Sequence, residues 1–169
     1  KMIKIIITGP ESSGKTTLSR NLSHSLKANL VDEYARKYIN ENNNQYIYED
    51  LLKIAKAQYQ NEESSKPGKL CFCDTDLITI KIWSEFKFNK CDGWITNKII
   101  QQKDEKRIYL LCKPDIHWKY DPQRENEFSR DEIFDIYLKE LKTLNHPFFV
   151  VEGRKRLEKS LNFLEKEFL

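Results

Sequence analysis

Gly9-Pro10-Glu11-Ser12-Ser13-Gly14-Lys15-Thr16 follows the spacing G-x-x-x-x-G-K-[ST], and Thr17 adds a second hydroxyl directly after it. Two glycines at that spacing let a backbone bend and approach a ligand where a Cβ would obstruct. Successive amide N–H groups can then face phosphate oxygens, aided by the positive end of a following helix. Lys15 suits the β- and γ-phosphates of ATP, and the Thr16 hydroxyl suits Mg2+. Gly9, Glu11, Ser12, Ser13, Gly14, Lys15, Thr16 and Thr17 are therefore the candidate ATP-binding residues.

Phosphoryl transfer to an alcohol also needs support for the metal, a group to orient and deprotonate the hydroxyl, and cations over the migrating phosphoryl. Two acidic clusters, Asp32-Glu33-Tyr34-Ala35-Arg36 and Asp74-Thr75-Asp76, each follow an apolar run. Asp74, a carboxylate closing a buried run, is expected beside Thr16 at the metal. Glu33 is favoured over Asp74 as the base. Asp32 reads equally well as a helix N-cap, and Asp76 reads as the cap of the next helix or as a substrate contact. Arg124 and Arg130 carry planar, permanently charged forks suited to phosphate oxygens, with a solvated charged loop as the plain alternative. Lys119, Arg154 and Lys155 read as surface charge.

The elements that must position these groups are legible as short apolar runs separated by helical stretches. MIKIIIT (2–8), ANLVD (28–32), KLCFCD (69–74), RIYLLC (107–112) and PFFVVE (147–152) are too continuous for strands with one wet face. Helical periodicity falls at 15–26, 49–64, 74–88, 130–144 and 155–168. The alternation implies an α/β fold of three layers, a five-stranded parallel sheet with helices on both faces. In such a sheet, ligands bind beyond the carboxyl ends of the strands, where both acidic clusters fall. Residues 113–130, KPDIHWKYDPQRENEFSR, form a long aperiodic segment read as a lid over the site. All 169 residues are read as one domain.

Composition removes several function classes. The 29 basic and 26 acidic side chains nearly cancel to +3 and are interleaved, which argues against a dedicated nucleic-acid binder. No run approaches the roughly 20 apolar residues of a membrane helix, and no signal peptide precedes the first strand, so a cytoplasmic protein is expected. Cys71, Cys73, Cys91 and Cys112 lack paired zinc spacing and read as structural thiols. A guanine-reading switch is disfavoured, because Asn97-Lys98 lacks the following Asp and no D-x-x-G is present. A chain of this length leaves little room for an oligomeric motor. A small-molecule kinase is the economical reading, with an ATP-binding regulatory module as its rival from another class.

Trp83, Trp94 and Trp118 bear on the acceptor. Trp94 reads as core, whereas Trp83, on the helix after Asp74-Thr75-Asp76, and Trp118 could equally stack on a flat heteroaromatic substrate. TGPESSGKTTL, DEYAR, YEDLLKIAKAQ and LCFCDTDLITIKIWSEF, in that order, resemble the nicotinamide riboside kinase domain of NadR-type proteins, a P-loop kinase branch of the AAA-like ATPases and kinases. The resemblance spans roughly residues 2 to 152. It implies ATP and Mg2+ as cofactors and transfer of the γ-phosphate to the 5′-hydroxyl of nicotinamide riboside. By position, Glu33, Arg36, Asp74 and Asp76 would face the riboside and the metal, and Trp83 the pyridinium ring. Tyr34 and Trp118 are further substrate candidates. After the fourth strand the family tends to an Asp-Gly turn with arginines, where this chain reads YDPQRENEFSR. The chain begins almost at the first strand, so no second activity is claimed for it.

Overall fold

The computed structural model describes residues 1–169. Five strands form one parallel sheet: β1 (Ile3–Thr8), β2 (Asn29–Val31), β3 (Leu70–Asp74), β4 (Arg107–Cys112) and β5 (Phe148–Val151). Their order is β2-β3-β1-β4-β5, so the chain runs outward from β1 to β2, turns back through β3, and passes β1 to reach β4 and β5 on its other side. Successive side chains of a strand point to opposite faces. Ile5 and Ile7 accordingly enter one apolar layer and Ile6 the other, which is why the strands read as unbroken apolar runs.

Seven helices cover the two faces: α1 (Lys15–Ser25), α2 (Tyr34–Glu41), α3 (Tyr48–Glu63), α4 (Leu77–Phe88), α5 (Gly93–Gln101), α6 (Arg130–Leu144) and α7 (Arg156–Glu167). Leu18 and Leu22 of α1 and Leu164 of α7 pack with Ile5, Ile7, Phe72 and Leu110. The larger layer holds Leu51 and Ile54 of α3, Ile78 and Ile82 of α4, Ile95 of α5 and Leu141 of α6. The three-layer expectation is met, and each of the five strands falls within a residue or so of its reading. Helices α2 and α5 were not among the helices read from periodicity. Trp94 of α5 packs against the larger layer, edge-on to Tyr59 at 5.7 Å, as a core residue would. All four cysteines are free, and Cys71, Cys73 and Cys112 are buried. No helix is long and apolar enough to cross a membrane.

Three connections matter for the site. Residues 9–14 link β1 to α1, the turn at 32–33 links β2 to α2, and Thr75-Asp76 links β3 to α4. All three lie at the carboxyl edge of the sheet, with β1 and β3 adjacent. Residues 113–129 arch over that edge before α6 begins at Arg130.

Candidate active site

The turn after β1 takes its shape from backbone positions that side chains resist. Gly9 has φ +135°, and a Cβ there would lie 2.6 Å from the Cys112 carbonyl oxygen. Gly14, at φ +85°, opens α1 as its N-cap, so the first amides of the helix face the loop's concavity. The Ser13 hydroxyl donates to the Pro10 carbonyl at 2.7 Å and fixes the loop from within. Lys15 Nζ donates to the Gly9 and Pro10 carbonyls at 2.9 and 2.7 Å, which holds its charge across the loop.

The Thr16 hydroxyl donates to Asp74 Oδ2 at 2.7 Å and so joins the start of α1 to the end of β3. Asp74 Oδ1 is buried and has no partner. Burial raises the Asp74 pKa, against the pull of the Thr16 hydrogen bond and the Lys15 charge. A buried carboxylate oxygen left unpaired beside a hydroxyl is costly, and a hard divalent cation such as Mg2+ fits that oxygen set.

Glu33 occupies the N-cap position of α2 without making a side-chain cap bond. Enclosure of its carboxyl, and then the nearby Asp74 carboxylate, push its pKa above the ordinary glutamate value, while Lys15 and Arg36 oppose the rise. That poises a carboxyl for proton transfer. Asp32 is exposed and is not the N-cap; that position falls one residue later, on Glu33.

A cavity of about 220 Å3 runs from the phosphate loop to an apolar recess. Residues 9–17 form its loop end; Glu33, Arg36 and Gln58 also line it, as do Ile80, Trp83, Phe86, Ile133 and Tyr137. Trp83 is held edge-on to Tyr46 at 4.8 Å and donates its indole N–H to the Tyr46 hydroxyl at 3.0 Å. Thr75 also borders the cavity with φ +68°, a left-handed conformation that a β-branched residue rarely adopts. Its amide is pinned to the Ile7 carbonyl at 2.9 Å.

Asp76 takes the helix-cap reading, and the substrate contact that the resemblance implied is corrected. It is fully buried behind the cavity wall, where Oδ1 caps α4 through the Ile78 amide at 3.0 Å. Its Oδ2 accepts from Arg107 and from the Tyr109 hydroxyl, both at 2.7 Å. With both oxygens committed to a buried ion pair and a cap, the side chain has none left for a substrate. Tyr34 also stays outside the cavity lining: its ring lies 6.3 Å from that of Tyr38, and its amide donates to Gln58.

The lid residues divide. Arg124 borders the cavity and donates to the Lys119 carbonyl at 2.5 Å. Arg130 lies behind the phosphate loop, donating to the Ser12 and Ile116 carbonyls at 3.0 Å each. It also sits 5.5 Å from the centroid of the Trp118 ring, which places Trp118 behind the loop and not in the cavity wall. Arg36 pairs with Asp121 of the lid at 2.8 Å. Lys119, Arg154 and Lys155 are exposed, as expected of surface charge.

Sequence reading missed Gln58, Thr79, Lys87 and Tyr137, which border the cavity, and Arg156, which braces the Ser13 carbonyl at 2.8 Å. Gln58 left a trace in the sequence, since it stands one turn after Ile54 on the buried face of α3.

A family model described as an AAA domain matches residues 4–159. Among curated proteins, the chain is 33% identical over 155 residues to the trifunctional NAD biosynthesis/regulator protein NadR of Salmonella typhimurium, covering 86% of this chain and 37% of that protein. To the protein of the same name from Escherichia coli it is 27% identical over 158 residues, covering 88% of this chain and 38% of that one. The chain thus spans well under half the length of these relatives. Of solved structures, a NadR protein in complex with NR superposes with a TM-score of 0.79 at 19% identity, over 98% of this chain and 50% of that chain. A deoxyadenosine kinase from M. mycoides superposes with a TM-score of 0.65 at 16% identity, over 97% and 99% of the two chains. At such identities these superpositions establish a shared fold. They agree with the resemblance drawn from the motifs.

Proposed function

The chain belongs to the AAA domain family, and from that premise we propose that it is an ATP-dependent nucleoside kinase that phosphorylates the 5′-hydroxyl of nicotinamide riboside, giving nicotinamide mononucleotide. The observation that carries the reading is one cavity joining the phosphate loop to the Glu33 carboxyl and to an aromatic recess. A donor triphosphate at one end and a flat riboside at the other would meet beside Glu33. The motif resemblance and the relatives named NadR support this acceptor over other nucleosides.

In this reading the loop amides and Lys15 bind the β- and γ-phosphates. Glu33, with its raised pKa, orients the 5′-hydroxyl and takes its proton as the oxygen attacks phosphorus. Thr16 and Asp74 would hold Mg2+, which when bound neutralises charge on the phosphate oxygens. Arg124 at the lid side and Lys15 at the loop side bracket the migrating phosphoryl group. Arg36 and Asp121 tie the lid to α2 so that water is kept from the reacting phosphate. The ring of nicotinamide riboside is cationic, and the Trp83 ring and Glu33 carboxylate offer it favourable surroundings.

The test is an ADP-release assay over a panel of nucleosides. Turnover with nicotinamide riboside, and little with thymidine or deoxyadenosine, is the expected result. The reverse ranking would end the assignment, and release of ADP at a rate indifferent to any acceptor would favour a regulatory module.

A further inference from the structure

We propose that Arg156 and Arg130 are positioning residues for the phosphates of the nucleotide. Each grips a carbonyl on the outer side of the phosphate loop, so that the amide of the next residue is held inward; the inference rests on the ATP-binding part of the reading above. Arg156 Nη1 donates to the Ser13 carbonyl at 2.8 Å and Nη2 to the Lys113 carbonyl at 3.0 Å. Arg130 makes the same kind of bridge one residue earlier, from the Ser12 carbonyl to the Ile116 carbonyl, at 3.0 Å each. Neither arginine lines the cavity. Two consecutive peptide groups of the loop are thus tied to the segment after β4 by guanidinium forks, whose fixed plane suits two acceptors at once.

Across a trans peptide the C=O and the following N–H point in opposite directions. Holding the Ser12 and Ser13 oxygens outward therefore turns the Ser13 and Gly14 amides toward the loop's concavity, and neither amide donates to any group of the chain. A cation hydrogen-bonded to the oxygen also polarises the peptide group and strengthens its N–H as a donor. Donors aimed in advance at an anion need no reorganisation when it arrives. Arg156 is itself braced. Its Nη2 pairs with the Asp115 carboxylate and its Nε donates to the Gly153 carbonyl at 3.2 Å, while the Gly153 amide donates to Asp115 at 2.7 Å. Asp115 offsets much of the Arg156 charge, so the contribution of Arg156 lies in orientation more than in long-range attraction.

The experiment is calorimetric binding of ATP and of inorganic tripolyphosphate, which has the phosphate chain without base or sugar, to wild type, Arg156→Met, Arg156→Lys and Arg130→Met. Arg156→Met should bind both ligands about tenfold more weakly and by the same factor, as loss of one charged hydrogen bond behind the loop implies, and Arg130→Met should do likewise. Arg156→Lys keeps the charge but cannot span two carbonyls with a planar fork, so it should recover only part of the loss. Unchanged binding of both ligands would overturn the proposal. Weakening of ATP alone would place the effect at the base or ribose, and full recovery in Arg156→Lys would leave charge as the whole cause; either result overturns it too. Circular dichroism verifies that each variant is folded, and if Arg156→Met is not, Arg156→Lys and Arg130→Met carry the same comparison. A wild type that binds neither ligand would overturn this inference together with the ATP-dependent reading. A wild type that binds both but phosphorylates no nucleoside would end the acceptor assignment alone.

Discussion

The Thr16 hydroxyl donates to Asp74 Oδ2 at 2.7 Å while Asp74 Oδ1 stays buried and unpaired, so one carboxylate both positions a hydroxyl and keeps an oxygen free. Replacing Asp74 by Asn should cost roughly 10–100-fold in kcat/KM, because the hydroxyl loses its anionic partner and the metal its support. Stability should respond in the opposite sense. With the folded pKa raised by burial, the folded state holds the proton more tightly than the unfolded state. The stabilising contribution is complete below the unfolded value of about 3.9 and is lost as pH rises through the raised folded pKa. Urea unfolding of wild type and Asp74→Asn should therefore diverge with rising pH, the variant gaining; parallel curves would argue against a strained carboxylate.

Lys15→Ala should reduce turnover about 1,000-fold, as removal of a preorganised charge from a phosphoryl-transfer site does. Single-turnover kinetics would separate chemistry from ATP binding. Near-normal turnover in the variant would falsify the role given to Lys15.

For Glu33 the prediction concerns pH. Its carboxyl is pushed up by burial and by Asp74, so as a base it becomes competent at a higher pH than the roughly 4.3 of an ordinary glutamate. The acid limb of kcat/KM should sit above that value and disappear in Glu33→Gln, with residual activity flat over the same range. A limb that survives the substitution would belong to another group.

The strands were legible because parallel strands covered on both faces are continuous apolar runs, and RIYLLC and KLCFCD read as β4 and β3 without tertiary information. The phosphate loop was legible because its chemistry is local to eight residues, Gly9 to Thr16. What escaped was non-local. Asp76 stands in sequence like a site residue, yet its Arg107 partner lies 31 positions away, and only the fold shows that the pair is sealed beneath the cavity. Arg130 and Trp118 likewise look like lid groups aimed inward, and their direction is decided by backbone carbonyls of Ser12 and Ile116. Gln58 carried a usable signal, a polar residue at a buried helical position, but its partner, the Tyr34 amide, is supplied by the fold.

Arg107 is fully buried and pairs with Glu62 and with Asp76, while Tyr109 donates to the same Asp76 oxygen. The cluster fixes Asp76, which caps α4 immediately after the strained Thr75, so it underpins the cavity floor from below. Arg107→Met leaves the buried Asp76 without a cation and Glu62 with Lys4 alone, and the expected destabilisation is about 3–5 kcal/mol. Urea denaturation measures it. A change below about 1 kcal/mol would mean the cluster is not what holds this turn.

Glu11 makes the lid's position depend on the phosphate loop itself. Its carboxylate accepts the backbone N–H groups of Asn126 at 2.9 Å and Glu125 at 3.2 Å, while the Glu125 side chain is clasped by Lys87 at 2.8 Å and by the Tyr46 hydroxyl. Loop, lid and the helix carrying Trp83 are thereby joined through two adjacent lid residues. Glu11→Ala removes the acceptor and leaves the loop backbone intact, so the two amides should exchange with solvent about tenfold faster, as loss of one charged hydrogen bond implies. Amides of β1 and β3 should keep their protection, because the substitution does not touch the core. Uniformly faster exchange would instead signal global destabilisation, and unchanged exchange at 125 and 126 would show that the Lys87 and Tyr46 clasp holds the lid without Glu11.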